Sequence, residues 1–536
     1  MSHKSICINL RLRGDNLMVL NFILALAPII WLIIALSILK MPGYRACVIA
    51  AVIAAILSIF KWNLGVVNTL TAGVEGILNA LWPICLVIIA ALFTYNLTLE
   101  TKAMDSIKSM LAGVSTDKRI LVLIIGWAFG NFMEGMAGFG TAVAIPASIL
   151  VGLGYDPIIT VVACLVVNST PTAFGSIAVP TVTLSNVTNI PAALLASNTF
   201  IVEALLMFLS PFFMVIIVGG GIKALKGCFL YTLIASVAFI VPAGISALFI
   251  GPELTNIFGS ICAMIVTVLV ARARKGEVPS EYATSNAGEG SKDKQAITFN
   301  EAIKAWSPFI IIFVLLVITS SLVPAINKPL SSIASKVTVY TGENPGSLKF
   351  AWINTPGVLI IISAIIGGLI QKASLATIGR VFMKTLTSNW KTILTISSVL
   401  ATAKIMTYSG MISDIAKVLV SVTGSYYPLI APLVGAIGGF VTGSGTSTSV
   451  LFGPLQSETA VQLSMNEAWL ASANSLGGGV GKMVSPQGIA IGTSAVGMSG
   501  SESKVLSKVF LYFALYVIVG GLICYFFPLL GIGIAG

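Results

Sequence analysis

Charged residues in this chain are gathered into clusters, and long runs between the clusters hold none. Stretches without Asp, Glu, Lys or Arg cover 16–39, 76–99, 157–202, 227–252, 305–327, 418–457 and 509–536. A helix crosses the hydrocarbon core of a bilayer with about 20 apolar residues, so each run reads as membrane-spanning. Two of them, 157–202 and 418–457, are too long for one crossing and must hold more than one element. The pattern predicts helices over 16–39, 45–60, 66–99, 119–135, 156–179, 197–219, 226–250, 253–271, 304–324, 351–370, 385–408, 426–442, 466–485 and 508–530. That gives an all-α polytopic protein with roughly 12–14 crossings plus extra hairpins. Two shorter stretches are amphipathic. In 100–116, Met104, Ile107, Met110 and Leu111 share a face that Lys102, Asp105 and Lys108 avoid. In 410–423, Met411, Ile412, Ile415, Val418 and Leu419 do the same beside Asp414 and Lys417. Such helices lie in the membrane plane.

One motif occurs twice, 305 to 306 residues apart. The first copy is Gly138-Phe139-Gly140-Thr141, then Asn168-Ser169, Gly175 and Pro180; the second is Gly443-Ser444-Gly445-Thr446, then Asn474-Ser475, Gly481 and Pro486. Asn to Gly is seven residues in both, and Gly to Pro is five in both. Unpaired backbone in hydrocarbon costs several kcal/mol per group, so irregular chain persists only inside protein or along a wet cavity. The Gly-x-Gly segments with Thr141, Ser444, Thr446 and Ser447 read as tips of re-entrant hairpins, 137–152 and 443–464. The competing reading is helix packing through small residues; the duplication with matched spacing favours hairpins. Asn168-Ser169-Thr170-Pro171 and Asn474-Ser475-Leu476-Gly477-Gly478-Gly479 fall in mid-span, where Pro and Gly are expected to unwind both helices. A half-helix N-terminus carries free N–H groups and partial positive charge, which suits a small anion. A simple kink is the plainer alternative.

Each half then reads as long helix, surface helix, spanning helix, hairpin, broken helix and closing helix. The divisions are 1–59 (N-terminal helices), 60–220 (first repeat, broken helix 156–179), 221–370 (intervening helices with a cytoplasmic loop 272–300) and 371–536 (second repeat, broken helix 466–485). Segment 276–296 is polar enough to be disordered. Helix counting puts eight crossings between equivalent points, which makes the repeats parallel. One misjudged span, expected within 226–271, makes them inverted, the arrangement that alternating access commonly uses.

Ionisable residues within spans are Glu75, Glu134, Glu203, Lys404 and Lys482. Each costs about 2.5–3.5 kcal/mol at a helix centre, so a partner or wet cavity is expected. Lys482, beside Gly481, is the choice for pairing a substrate carboxylate, against a structural ion pair. Glu134, four residues before Gly138, is the proton-coupling candidate, against a structural pair with Lys482. Glu203, Lys404 and Glu75 fall nearer predicted span ends and are expected to snorkel as structural groups.

Composition narrows the rest. Apolar residues make up 57% and charged residues 9%, and mean hydropathy is +1.00, so no polar surface for a soluble core exists. The net charge of +11 fits cytoplasmic loops rich in Lys and Arg, the densest with Arg272, Arg274, Lys275, Lys292 and Lys294; no aromatic-interleaved basic run points to nucleic acid. Seven scattered cysteines show no metal-ligand spacing, and His3 is the single histidine. No metal or cofactor is expected, and a membrane enzyme is disfavoured. The first helix reads as retained, with no small-residue cleavage site behind it.

At these residues the chain resembles the L-lactate permease family of bacterial secondary transporters. The matching stretches are Glu134-Gly135, Ala137-Gly138-Phe139-Gly140, Val167-Asn168 with Pro171, Ala173-Phe174-Gly175, Phe249-Ile250-Gly251-Pro252-Glu253-Leu254 and Ala305-Trp306-Ser307-Pro308-Phe309. The C-terminal part matches best, with Thr442-Gly443-Ser444, Thr446-Ser447, Leu451-Phe452, Ala473-Asn474 and Gly481-Lys482-Met483 running into Ser485-Pro486-Gln487. The resemblance implies a multi-pass inner-membrane symporter taking up lactate or a related 2-hydroxy monocarboxylate such as glycolate with a proton. It also implies an inverted repeat with two hairpins and two broken helices. The family commonly has Asp where this chain has Gly445, Asn at Ser449, Ala at Met136 and Pro at Ala142. The alternatives left open are a sodium-coupled carboxylate transporter and an anion channel; oligomerisation is open as well. The expected anion site draws on Gly138, Gly140, Thr141, Asn168, Ser169, Thr170, Ser444, Thr446, Ser447, Asn474, Ser475, Gly477 and Lys482.

Overall fold

The structure, a computed structural model, describes residues 3–39, 41–138, 140–273, 278–283, 298–320, 322–343 and 345–533, with backbone alone for 3–17 and Ser37. Phe139 and most of the polar segment 276–296 lie outside the described residues, so the expectation for that segment is not addressed.

The chain begins with α1 (His3–Ile33), α2 (Gly43–Phe60), α3 (Val66–Asn79) and α4 (Leu86–Glu100). Between α3 and α4, Trp82 leaves helical geometry ahead of Pro83, because a proline disfavours helix in the residue before it. The surface helix α5 (Ala103–Ala112) follows. Then α6 (Lys118–Leu121) continues through a π-helical run, Val122–Phe129, into α7 (Gly130–Met136), and α8 (Thr141–Gly152) turns back on it. Helix α9 (Pro157–Asn168) bends by 55° into the segment Thr170–Thr188, which holds α10 (Gly175–Thr188), and the pair is long and apolar enough to count as one bent span. Next come α11 (Ala192–Val218), α12 (Phe229–Phe249), α13 (Pro252–Ala273) and α14 (Phe299–Thr319). A short α15 (Pro324–Ser332) leads to antiparallel strands β1 (Ala334–Thr338) and β2 (Ser347–Ala351), which the hydrophobic pattern did not announce. The chain ends with α16 (Pro356–Ile370), amphipathic α17 (Leu375–Ser388), α18 (Trp390–Ser409), surface helix α19 (Met411–Thr423), α20 (Tyr427–Thr442), α21 (Gly445–Gln462), α22 (Glu467–Val484), α23 (Pro486–Ala495) and α24 (Glu502–Leu529).

Among the described residues ten helices are long and apolar enough to cross a membrane, or eleven with the bent pair. Helices α18 and α22 are as long but more polar, carrying Lys404 and Lys482 among hydroxyl residues and glycines. The expected hairpin ranges 137–152 and 443–464 are each filled by a single helix, α8 and α21, which pack back on the preceding helices α7 and α20 at the Gly-x-Gly segments. Tyr155 Oη donates to Lys118 O at 2.6 Å, so the first hairpin enters and leaves at one end of the bundle. Tyr427 Oη donates to Gln456 Oε1 at 2.9 Å, which closes the open end of the second.

The two expected helix breaks differ. In the first, the chain unwinds at Ser169 and passes through a 3-10 turn, Thr170–Phe174. Ser176, Ile177 and Ala178 then adopt φ of 47°, 56° and 57°. Side-chain-bearing residues avoid this left-handed region, at a cost of roughly 1–2 kcal/mol each. In the second, α22 runs unbroken through Gly477-Gly478-Gly479 and stops only at Ser485, ahead of Pro486. The triple glycine does not unwind the helix. A Cβ at Gly477 would overlap Pro432 O, and one at Gly481 would overlap Ala436 O. These glycines let α20 and α22 pack backbone to backbone, the small-residue contact used between helices in lipid.

Three further expectations are corrected. Glu75, Lys404 and Glu203 do not snorkel. Lys404 Nζ lies 3.0 Å from Glu75 Oε1, with side chains 8% and 1% exposed, and Tyr408 Oη donates to the same oxygen at 2.9 Å. Glu203 is fully buried. Its helix starts at Ala192, earlier than expected, which moves Glu203 from the end of the span into its body.

Candidate functional site

Both hairpin tips, the bent span and the end of α22 meet around a cavity of about 1060 Å³. Gly140, with φ of 86°, brings the first tip to its wall, and Gly443, with φ of 64°, ends α20 at the second. Ser444 caps α21, its Oγ accepting from Ser447 N–H at 3.2 Å. The first N–H groups of α21 and of α23 have no intrahelical acceptors, and both helix starts line the cavity through Gly445, Thr446, Gln487 and Gly488. The bent span contributes Asn168, Ser169, Thr172, Gly175, Ser176 and Pro180.

Two ionisable groups meet at the wall. Lys482 Nζ, from α22, is 2.8 Å from Glu134 Oε1, from α7; the side chains are 12% and 3% exposed. Asn168 Nδ2 donates to Glu134 Oε2 at 3.0 Å. Gly175 makes room for this carboxylate, since a Cβ there would stand 2.6 Å from Oε1. The bent span, the first hairpin and α22 are thus joined by one polar cluster. The second tip also rests on the first half: a Cβ at Gly445 would stand 2.8 Å from Thr172 Cγ2.

Of the residues singled out from sequence, Glu134, Gly140, Asn168, Ser169, Ser444, Thr446, Ser447 and Lys482 line the cavity. Gly138, Thr141, Thr170, Asn474, Ser475 and Gly477 stand behind it. Thr141 Oγ1 donates to Gly138 O at 2.7 Å and fixes the first tip. Asn474 Nδ2 donates to Thr448 O at 3.5 Å, tying α22 to α21. Thr170 Oγ1 and Ser475 Oγ are buried with no hydrogen-bond partner among the described residues. Sequence reasoning passed over Ser176, whose Oγ donates to Ala137 O at 2.9 Å, and the outer wall formed by Leu36, Tyr44, Asn389, Lys391 and Thr395. These outer residues sit at ordinary helix ends and carry no local signal. Among the described residues no group of three or more His, Cys, Asp or Glu is placed to hold a metal ion.

A model of the L-lactate permease family matches residues 21–530. An L-lactate permease of Streptococcus iniae is 43% identical over 450 residues, spanning 84% of this chain and 93% of its own. The glycolate permease of Escherichia coli strain K12 is 33% identical over 534 residues, spanning 94% of this chain and 95% of its own. A solved structure of Neisseria gonorrhoeae MtrF, described as illuminating a class of antimetabolite efflux pumps, aligns with a TM-score of 0.49 at 11% identity over 92% of this chain and 96% of its own. With a match from residue 21 to residue 530, this multi-pass helical membrane protein belongs to the L-lactate permease family.

Proposed function

We propose that this protein is a secondary transporter that moves L-lactate, or a related 2-hydroxy monocarboxylate such as glycolate, together with a proton by alternating access. The names of the relatives supply the substrate class. The observation that carries the mechanism is the Glu134–Lys482 pair at the cavity wall. An ammonium already paired with a carboxylate is an exchangeable anion site. An arriving substrate carboxylate takes Lys482, helped by the N–H groups and hydroxyls at the start of α21. Glu134, left with Asn168 as its donor, then takes up a proton. One negative charge and one proton enter together, so the buried site gains no net charge, which is what low-dielectric surroundings demand. Pockets for drug-sized ligands run to roughly 300–1,000 Å³, so a three-carbon acid fills only a corner and the remainder serves as a wet vestibule.

The two halves read best as an inverted repeat. Tyr44 packs on Trp390 with ring centroids 5.4 Å apart, and Gln371 Nε2 donates to Ala305 O at 3.1 Å. The first contact sets the starts of α2 and α18 together, and the second sets the start of α14 beside the end of α16, from which the amphipathic α17 leads to α18. Arg119, 2.8 Å from Asp117, donates to Ala224 O and Lys226 O and stacks on Tyr282, which precedes α14. The open end of the first hairpin therefore lies at that same end. The second opens beside α19, which meets the far end of α2 through Trp62 Nε1 and Asp414 Oδ2 at 3.1 Å. Counting α6–α7 as a hairpin arm, not a crossing, leaves an even number of crossings between the equivalent long helices, α3–α4 and α18: the bent span, α11, α12, α13, α14 and α16. That parity supports inversion, with 60–220 and 371–536 as the repeated units. Lys102, Lys108, Lys223, Lys226, Arg272, Lys304, Lys372, Lys384, Lys504 and Lys508 belong to the first end, which the excess of positive charge marks as cytoplasmic. The vestibule, with Tyr44, Asn389 and Lys391 at its rim, opens there.

The test is reconstitution in liposomes with a pH gradient or a Na⁺ gradient imposed separately, following labelled L-lactate, glycolate and succinate. Uphill lactate or glycolate uptake driven by the pH gradient and abolished by a protonophore is expected. Drive by Na⁺ alone overturns the proton assignment, and uptake that never exceeds equilibrium overturns coupled transport in favour of a channel.

A further inference from the structure

Glu203 belongs to no feature described above. Its side chain is fully buried in the body of α11, and among the described residues neither carboxylate oxygen has a hydrogen-bond partner. Helix α11 packs on α22 and on the 3-10 turn Thr170–Phe174, and these two pack on each other. The register between α11 and α22 is fixed by Thr199 Oγ1 donating to Ser472 Oγ at 3.1 Å. The helices run in the same direction, because α10 and α21, which lead into them, lie side by side, with Gly445 at Pro180 and Gly453 at Leu184. One helical turn further along, Glu203 comes level with Ser475. Ser475 Oγ is buried and unpartnered, and so is Thr170 Oγ1 on the third element. Neighbouring residues of α22 and of the bent span, Gly479, Lys482, Ser169 and Thr172, line the cavity. Glu203 thus stands one layer behind the substrate site, against the elements that form its wall.

An ionised carboxylate without donors or a counter-charge is the costliest group a protein interior can hold, whereas a neutral acid asks only for ordinary hydrogen bonds. The ionisable side chains of the helices packed on α11 are Cys164 on α9, Tyr231 on α12, Glu253, Cys262 and Arg272 on α13, Glu467 and Lys482 on α22, and Glu502, Lys504, Lys508, Tyr512, Tyr516, Cys524 and Tyr525 on α24. None of them bonds Glu203, and Lys482 is taken by Glu134.

We propose that Glu203 is a second protonation site, carrying a proton in this conformation and exchanging it with water only when α22 and the 3-10 turn move apart. The proton leaves the carboxyl oxygen as the site hydrates and returns as it closes. The charge on Glu203 then acts on the conformational step, not on substrate affinity. This inference rests on the proton-linked reading given under Proposed function.

The experiment compares wild type, Glu203→Gln and Glu203→Asp in liposomes. Gradient-driven lactate accumulation, lactate–lactate exchange at equal pH and the infrared carbonyl band of a neutral carboxylic acid are measured for each. The expected result is that Glu203→Gln loses gradient-driven accumulation and the infrared band, keeps its KM in exchange, and that Glu203→Asp restores band and accumulation. Wild-type accumulation driven by pH together with an unchanged pH profile in Glu203→Gln overturns this inference alone. A wild type indifferent to the pH gradient overturns the proton-linked reading and this inference with it. If Glu203→Gln loses all transport, the infrared band decides: a band present in wild type and missing from the variant supports the site, and a band equal in both removes it.

Discussion

Lys482 and Glu134 are separated by 348 residues, yet their side chains meet at 2.8 Å across the boundary between the two halves of the chain. Removing one member of such a pair leaves the other buried without compensation, which costs about 3–5 kcal/mol. Lys482→Ala is therefore expected to abolish uptake and to lower thermal stability, while Glu134→Gln/Lys482→Gln regains most of the stability and none of the uptake. The buried thiols of Cys47, Cys85, Cys164, Cys228 and Cys524 suit a thiol-reactive dye as the unfolding probe. Full stability in Lys482→Ala, or uptake by the double variant, would contradict this assignment.

The Glu75–Lys404 pair predicts a different outcome. It lies away from the cavity and is held by Tyr408, which also accepts Gly346 N–H at 3.3 Å and stacks on Tyr340 with centroids 3.7 Å apart. Lys404→Ala should lose about 3–5 kcal/mol of stability, with KM for substrate unchanged in the protein that remains folded. A raised KM with intact stability would move this pair into the transport pathway.

At the second hairpin tip the crowding at Gly445 yields a suppressor test. Gly445→Ala puts a methyl against Thr172 Cγ2, forces the tip off the bent span and should cut uptake. Thr172→Ser removes that methyl and keeps the hydroxyl, so the double variant Gly445→Ala/Thr172→Ser should recover much of the lost rate. Equal impairment of single and double variants, measured as initial uptake, would place the defect elsewhere.

Glycines at two helical positions should respond with opposite signs. Gly481→Ala drives a methyl into the backbone of α20 and is expected to reduce folded yield severely. Gly379 is exposed on α17 with nothing within 4 Å of its missing Cβ. Gly379→Ala should raise stability by up to about 1 kcal/mol through helix propensity alone. Comparable melting temperatures for the two variants would refute the close-packing account of α20 and α22.

What the sequence made legible were interruptions. Gly, Pro, Asn and Ser are costly tenants of an apolar run, so both hairpin tips and the break after Asn168 stand out against their surroundings. The glycine run at 477–479 misled because the absence of a side chain serves two ends, loose backbone and close approach, and only the neighbouring helix distinguishes them. Glu75 and Lys404 gave no hint of each other because their partnership depends on α3 lying against α18, a contact invisible to local pattern. The left-handed stretch at 176–178 contains no glycine at all, so nothing in its composition marks it.

That stretch reverses the screw sense of the chain for three residues, so no unbroken ladder of backbone hydrogen bonds joins α9 to α10. Twist applied to one arm is therefore not passed to the other. The Ser176 hydroxyl, clasped to Ala137 O, instead couples the turn to the first hairpin, and a push on that tip is felt first at the elbow of the bent span.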